Sequence, residues 1–237
     1  MENFFKKKLE NGMTILFEKR ELPVVSVSAS VKFGSAHENE KIKGIAHFME
    51  HLMFKGTKTK TQEEIAREIE KKGGILNAYT SEEITSYWCK IPSKHISSGM
   101  NIVSDLILNP KFDAVEFEKE KNVIIEEIKM YHDNPRFYVP DKIKELLYKK
   151  PFGMSIAGKE EIIRNLKREE VVSLFNSCYT TDSMILTVVG NADFEEILNF
   201  VEKIRATKRK LLEHKPVKIN KEEVEKRKGI DQAHFIF

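Results

Sequence analysis

The stretch Ile45-Ala46-His47-Phe48-Met49-Glu50-His51-Leu52-Met53-Phe54 constrains the fold of this chain more than any other. It is apolar around most of its circumference, which as a helix makes it a core element rather than a surface one. Lys55 and Gly56 close it with residues typical of a helix C-terminus. Three polar side chains interrupt it. His47, Glu50 and His51 stand at i, i+3 and i+4 and so point the same way. Buried polar groups need partners, and a buried charge must be paired or bound to metal. The fold therefore has to bring a partner, or a cation such as zinc, to that side of the helix.

A second helical pattern over 113–133 offers the partner. Its inward stripe is Phe117, Ile124 and Tyr131, spaced by seven, with Ile128 alongside. Glu120 and Glu127 fall on the same stripe, whereas Glu118, Lys119, Lys129 and Asp133 have a solvent face. Two carboxylates aimed into a protein are costly without a cation. A catalytic zinc takes three protein ligands and leaves one position open. His47, His51 and either Glu127 or Glu120 complete such a set. Glu50, one residue before a ligand, is poorly placed to ligate beside both histidines and suits a general base. The remaining glutamate would orient a ligating imidazole from behind. His37, His95, His132, His214 and His234 have no ligand spacing.

The rest of the chain reads as strands, then helices, then a strand. Asn11-Gly12 marks a hairpin between Phe4–Leu9 and Met13–Glu18. Val24–Phe33 alternates apolar and small polar residues as a half-buried strand does. A helix over Thr61–Lys72 ends at Gly73-Gly74, and strands follow at Ile75–Thr80 and Thr85–Ile91. Helical periodicity covers 94–108, 113–133, 137–149, 159–166 and 168–177, then a strand at Ser183–Val189 and a helix near 193–204. This order predicts an α+β fold: a mixed, mainly antiparallel sheet with helices packed on one face. Residues 1–207 are expected to form the zinc-binding catalytic domain, 208–228 a charged linker, and 229–237 the first strand of a second domain.

Charge adds an exclusion. A net charge of +3 over 40 basic and 37 acidic residues, interleaved rather than blocked, predicts a solvated surface and no nucleic-acid partner. No apolar run reaches the roughly 20 residues of a membrane span. The start, Met1-Glu2 followed by Lys6-Lys7-Lys8, lacks the apolar region of a secretory signal. Cys89 and Cys178, far apart and in apolar surroundings, read as free thiols in a reducing compartment. A cytoplasmic protein is expected.

The segment Gly44–Thr57, centred on His47-x-x-Glu50-His51, carries the inverted zinc motif of the inverzincins and resembles the pitrilysin family. That family includes insulin-degrading enzyme and mitochondrial processing peptidase. Gly73–Thr80, Glu120–Glu127, Pro151-Phe152-Gly153 and Tyr179–Gly190 are similar to it as well, so the likeness spans nearly the whole chain. The resemblance implies a zinc-dependent endopeptidase with Glu127 as third ligand and Glu120 behind the ligands. It also implies that Leu76–Tyr79 is an edge strand to which an extended peptide adds as a further strand. Asn77, Ala78 and Tyr79 would then contact substrate, with Asn77 near the scissile bond. Members are clamshells of two related halves, and this chain resembles the first; the second brings an Arg/Tyr pair that helps hold substrate. The expected partners are a peptide and a second peptidase half, from the same chain beyond 237 or from a partner subunit. A dimer is among the assemblies this allows. The alternative is a non-catalytic subunit or scaffold of a heteromeric peptidase.

Overall fold

The structure is a computed structural model and describes residues 3–202, 204, 206, 207, 215–229 and 232–236. Six strands form one sheet: β1 (Phe4–Lys8), β2 (Thr14–Lys19), β3 (Val24–Val31), β4 (Ile75–Thr80), β5 (Thr85–Pro92) and β6 (Met184–Gly190). Their order is β1-β2-β6-β3-β5-β4. All neighbours are antiparallel except β2 and β6, so the sheet is mixed and mainly antiparallel, as expected. Among the described residues only β6 arrives from the far end of the chain, after the helical block, and it enters at the middle of the sheet. Parallel pairing needs such a long crossover, whereas the hairpins need only tight turns.

Alternation along the strands sorts the two faces. Val25, Val27, Ala29 and Val31 of β3 are buried, as are Ile15 and Phe17 of β2, Leu186 and Val188 of β6, and Tyr87, Cys89 and Ile91 of β5. Across the register, the same face carries Leu76 and Ala78 of β4. The opposite face presents small polar groups, among them Ser28 and Ser30, whose hydroxyls both meet that of Ser86 at 2.9 Å. The two ends of the sheet differ. β1 is exposed throughout and carries Lys6, Lys7 and Lys8, while β4 presents Ile75, Asn77 and Tyr79 to solvent.

The helices are α1 (Ile45–Met53), α2 (Gln62–Glu70), α3 (Ile96–Leu108), α4 (Ala114–Asp133), α5 (Pro135–Leu147), α6 (Glu160–Asn165), α7 (Arg168–Cys178) and α8 (Phe194–Val201). α1 packs on β4 and β5, α3 on β3 and β5, and α4 lies across α1 as a second layer. Local chemistry sets their starts. Thr61 and Glu64 form a capping box on α2, and Asp113 accepts from the Val115 and Glu116 N–H groups at the start of α4. α5 begins at Pro135, two residues before the expected 137. Asn134 caps it, and proline in the first turn has no N–H that the helix needs.

Residues 215–228, the described part of the expected linker, run along the end of α5. Lys149 N–H donates to Val217 O, and Ile219 and Lys221 N–H donate to Leu147 and Leu146 O, at 2.8–2.9 Å. The Arg227 guanidinium sits 4.1 Å over the Tyr138 ring. The remainder of that stretch, 208–214, lies outside the described residues, as do 230, 231 and 237 of the expected opening strand. Residues 232–236 belong to no strand of this sheet. Among the described residues no helix is long and apolar enough to cross a membrane.

Candidate active site

α1 splits its surface as its composition demands. Ile45, Ala46, Phe48, Met49, Leu52 and Met53 are buried, and the polar trio faces a cleft. The helix start has no side chain of its own to cap it, because Gly44 stands at the N-cap with φ +97°. Glu38 fills that role from outside. Its carboxylate accepts the Gly44 N–H at 3.0 Å and the Ala46 N–H at 2.6 Å, and carboxylates favour helix N-termini. Lys43, 1% exposed, lies 3.3 Å from the same carboxylate and donates to Ser35 O at 2.8 Å. Burial pushes Glu38 up to about 7 despite Lys43 and the two backbone donors, and burial likewise pulls Lys43 down.

α4 supplies the second half of the site. Phe48 and Phe117 lock the two helices edge to face, with ring centres 5.0 Å apart. About one and three turns further on, Glu120 and Glu127 reach the histidines. His51 Nε2 is 3.5 Å and His47 Nε2 3.8 Å from Glu127 Oε2, and one ligand atom from each of the three lies within 4.8 Å of the others. Ligands about 2.0–2.1 Å from a tetrahedral zinc stand about 3.3–3.4 Å apart, so the two distances to Glu127 need only a slight contraction. Glu127 Oε2 is buried and has no hydrogen-bond partner, and His47 Nδ1 is likewise unpartnered. An orphaned carboxylate oxygen between two imidazoles is what a cation would satisfy. The donor set, two imidazoles and a carboxylate, fits zinc.

His51, Glu127 and Glu50 are each held from behind. Glu120 Oε1 meets His51 Nδ1 at 2.9 Å, which leaves Nε2 facing Glu127. Lys55 Nζ pairs with the other Glu120 oxygen at 2.8 Å. Tyr131, one turn beyond Glu127, donates its hydroxyl to Glu127 Oε1 at 2.7 Å and leaves Oε2 to the centre. Thr80, last residue of β4, donates to Glu50 Oε2 at 2.5 Å.

The charges follow from these contacts. Burial, with His51 adding to it, pushes His47 down to about 4, so it is neutral with a lone pair free to bind a cation. For His51, burial alone would lower the pKa. The Glu120 bond and the Glu127, Glu120 and Glu50 charges outweigh it and raise the value. Glu120 goes the other way: burial opposes ionisation, but its bonds to His51 and Lys55 hold it ionised. Burial raises Glu50, against the Thr80 bond. A carboxyl so raised is the stronger base.

The sequence-predicted residues are therefore mostly in one place. His47, His51 and Glu127 converge, Glu120 stands behind His51, and Glu50 opens on the cleft, whose volume is about 420 Å³. Ala78 and Tyr79 line that cleft. Asn77 does not; it pairs with Trp88 of β5, and its Oδ1 accepts the Ala78 N–H at 2.8 Å. Thr80, Tyr131, Lys55 and Glu38 were not singled out as site residues by the sequence. Tyr131 had a signal, its place one turn after Glu127 on the inward stripe. Glu38 and Thr80 had none, since only the fold brings them to α1.

A helix bearing His-x-x-Glu-His, crossed by a second helix with a glutamate, over a mixed sheet, defines a metallopeptidase-type domain. The sequence model of the family described as Insulinase (Peptidase family M16) matches residues 14–160, and the chain belongs to that family. It is 36% identical over 205 residues to an uncharacterized zinc protease of Rickettsia felis, covering 86% of this chain and 50% of the relative. With the mitochondrial-processing peptidase subunit beta of Bos taurus it shares 34% identity over 195 residues, covering 82% and 40%. A protease from Helicobacter pylori has the same fold at TM-score 0.82 and 23% identity, over 91% of this chain and 54% of that one. The chain thus spans about half the length of the curated relatives it matches.

Proposed function

We propose that this chain is the catalytic half of a zinc-dependent endopeptidase that cleaves peptides or unfolded segments bound in extended form. The observation that carries the reading is the unpartnered Glu127 oxygen facing two imidazole Nε2 atoms, with Glu50 beside them on an open cleft. His47, His51 and Glu127 would hold the ion. Zinc so bound supplies Lewis-acid polarisation and an acidified water.

The chain's own residues do the remaining work. Glu50 takes a proton at Oε1, since Oε2 is held by Thr80, and returns it to the leaving amine. Glu120, kept ionised by Lys55, fixes the His51 ring and strengthens it as a ligand. Among the described residues β4 pairs on one side only, with β5, so its other edge is open to a peptide that adds as a strand. Such a strand would pass Ala78 and Tyr79 on its way to Glu50, and the Asn77 amide would yield the Ala78 N–H to it.

The test is zinc content and peptide cleavage by the chain joined to its second half, wild type against Glu50→Gln. The expected outcome is unchanged zinc and a loss of about 10²–10⁴-fold in kcat. No zinc in the wild type, or unchanged cleavage in the variant, would sink the peptidase reading in favour of a non-catalytic subunit.

A further inference from the structure

Beside the cleft lies a larger pocket of about 720 Å³ that the chemistry above does not use. The two share Tyr131, Asp141 and Ala157 as a common wall, so a chain leaving the cleft past Tyr131 enters the pocket. Its size falls within the range of about 300–1,000 Å³ usual for ligand sites. The floor is rigid. A Cβ at Gly158 would come within 2.3 Å of Lys43 O, and one at Gly44 within 2.7 Å of Ala157 O, so the loop that ends at Gly158 is pressed onto the start of α1.

The lining is rich in lysine. Lys43, Lys142 and Lys150 are committed, to Glu38, to Glu145 and Glu223, and to Glu40. Lys149, Lys159 and Lys221 also line the pocket, and among the described residues none has a carboxylate within ion-pair distance. Two acidic groups share the wall. Glu145 is paired with Lys142, and Asp141 accepts from Ser155 at 2.7 Å. Ser155 leaves the Asp141 charge unneutralised, so three unpaired lysines stand against one unpaired carboxylate among the described residues; the net uncommitted charge is positive, and a concave wall focuses that field on whatever enters. Three separate elements deliver it: the segment after α5, the residue that starts α6, and the extended run beside α5.

We propose that this pocket is a subsite for carboxylates of the bound peptide, so that segments with acidic side chains or a free C-terminal carboxylate on that side of the cleft are favoured. The proposal rests on the peptidase reading for what enters the cleft, and its test is binding rather than turnover.

The chain carrying Glu50→Gln is titrated, by fluorescence anisotropy, with short extended peptides that bear an Asp pair at one end, at the other, or Asn at both. Each is made with a free and an amidated C-terminus. About tenfold tighter binding is expected for the acidic peptide with its Asp pair at one particular end, weakening as salt rises. Loss of the preference on amidation identifies the terminal carboxylate as the recognised group; its retention identifies the side chains. The preference should vanish in Lys149→Gln/Lys159→Gln/Lys221→Gln and survive in Lys6→Gln/Lys7→Gln/Lys8→Gln, which removes charge from β1 at the far edge of the sheet. Equal binding of acidic and Asn peptides, or a preference untouched by the pocket substitutions, overturns the proposal. Cleavage without charge preference counts against the pocket alone. Charge preference together with no cleavage by the wild-type chain joined to its second half counts against the peptidase reading alone.

Discussion

On the proposed peptidase reading, Thr80 joins the strand that would receive substrate to the base that would act on it. Its hydroxyl occupies Glu50 Oε2 at 2.5 Å, so the other oxygen is the one turned to the cleft. Removing the hydroxyl while keeping the shape frees the carboxylate to rotate and leaves a half-buried oxygen unpaired. Thr80→Val should therefore lower kcat about fivefold to tenfold with KM nearly unchanged, and Thr80→Ser should restore most of it. Equal changes in both constants would mean that Thr80 serves substrate binding instead. At this scale the sequence was legible wherever spacing within one helix decided the outcome. His47, Glu50 and His51 share a side because of helical geometry, and Glu120 and Glu127 share a stripe for the same reason. Thr80, Lys55 and Glu38 were not legible, because their partners are 30, 65 and 8 residues away and only packing makes them neighbours.

The elements themselves were well marked. Alternation gave β3, the Asn11-Gly12 turn gave the first hairpin, and a seven-residue stripe gave α4. What no pattern announced was how α1 is fixed in place. Its N-terminus is held by Glu38 and by the contact of Gly44 with Gly158, both far from its own local sequence rules. Gly158 has φ +81° and no room for a Cβ; Gly73 has φ +72° and nothing within 4 Å. Alanine at Gly73 should cost only the backbone strain, about 1 kcal/mol. Gly158→Ala should cost at least about 2–3 kcal/mol and reduce zinc occupancy, since the loop must move off the start of the ligand helix. Thermal unfolding and metal analysis of the two variants check this. Equal destabilisation by both would mean that the contact does not position α1.

At the scale of the molecule, the site is open on one side. Glu50, the histidines and Glu127 border a cleft whose walls come from β4, α4, α5 and the segment before α6, and the chain covers about half of its curated relatives. We expect the 237-residue chain alone to bind one zinc and yet hydrolyse unfolded peptide poorly. A second half supplied in trans should raise kcat/KM by at least about a hundredfold, the usual worth of a missing oxyanion donor. Zinc analysis and peptide kinetics with and without that half test it. Full activity from this chain alone would refute the need for a second half.

The two ends of the sheet have unequal fates. Three lysines along β1 repel a neighbouring strand, whereas the outer side of β4 carries no charge from Ile75 to Thr80. On the proposed reading a guest strand would be accepted once, at β4, and could not be relayed to the β1 margin. Pairing between copies through β4 would stop at two, and it would occupy the ledge a peptide needs. Self-association by edge pairing and peptide capture would then be mutually exclusive uses of the same six residues.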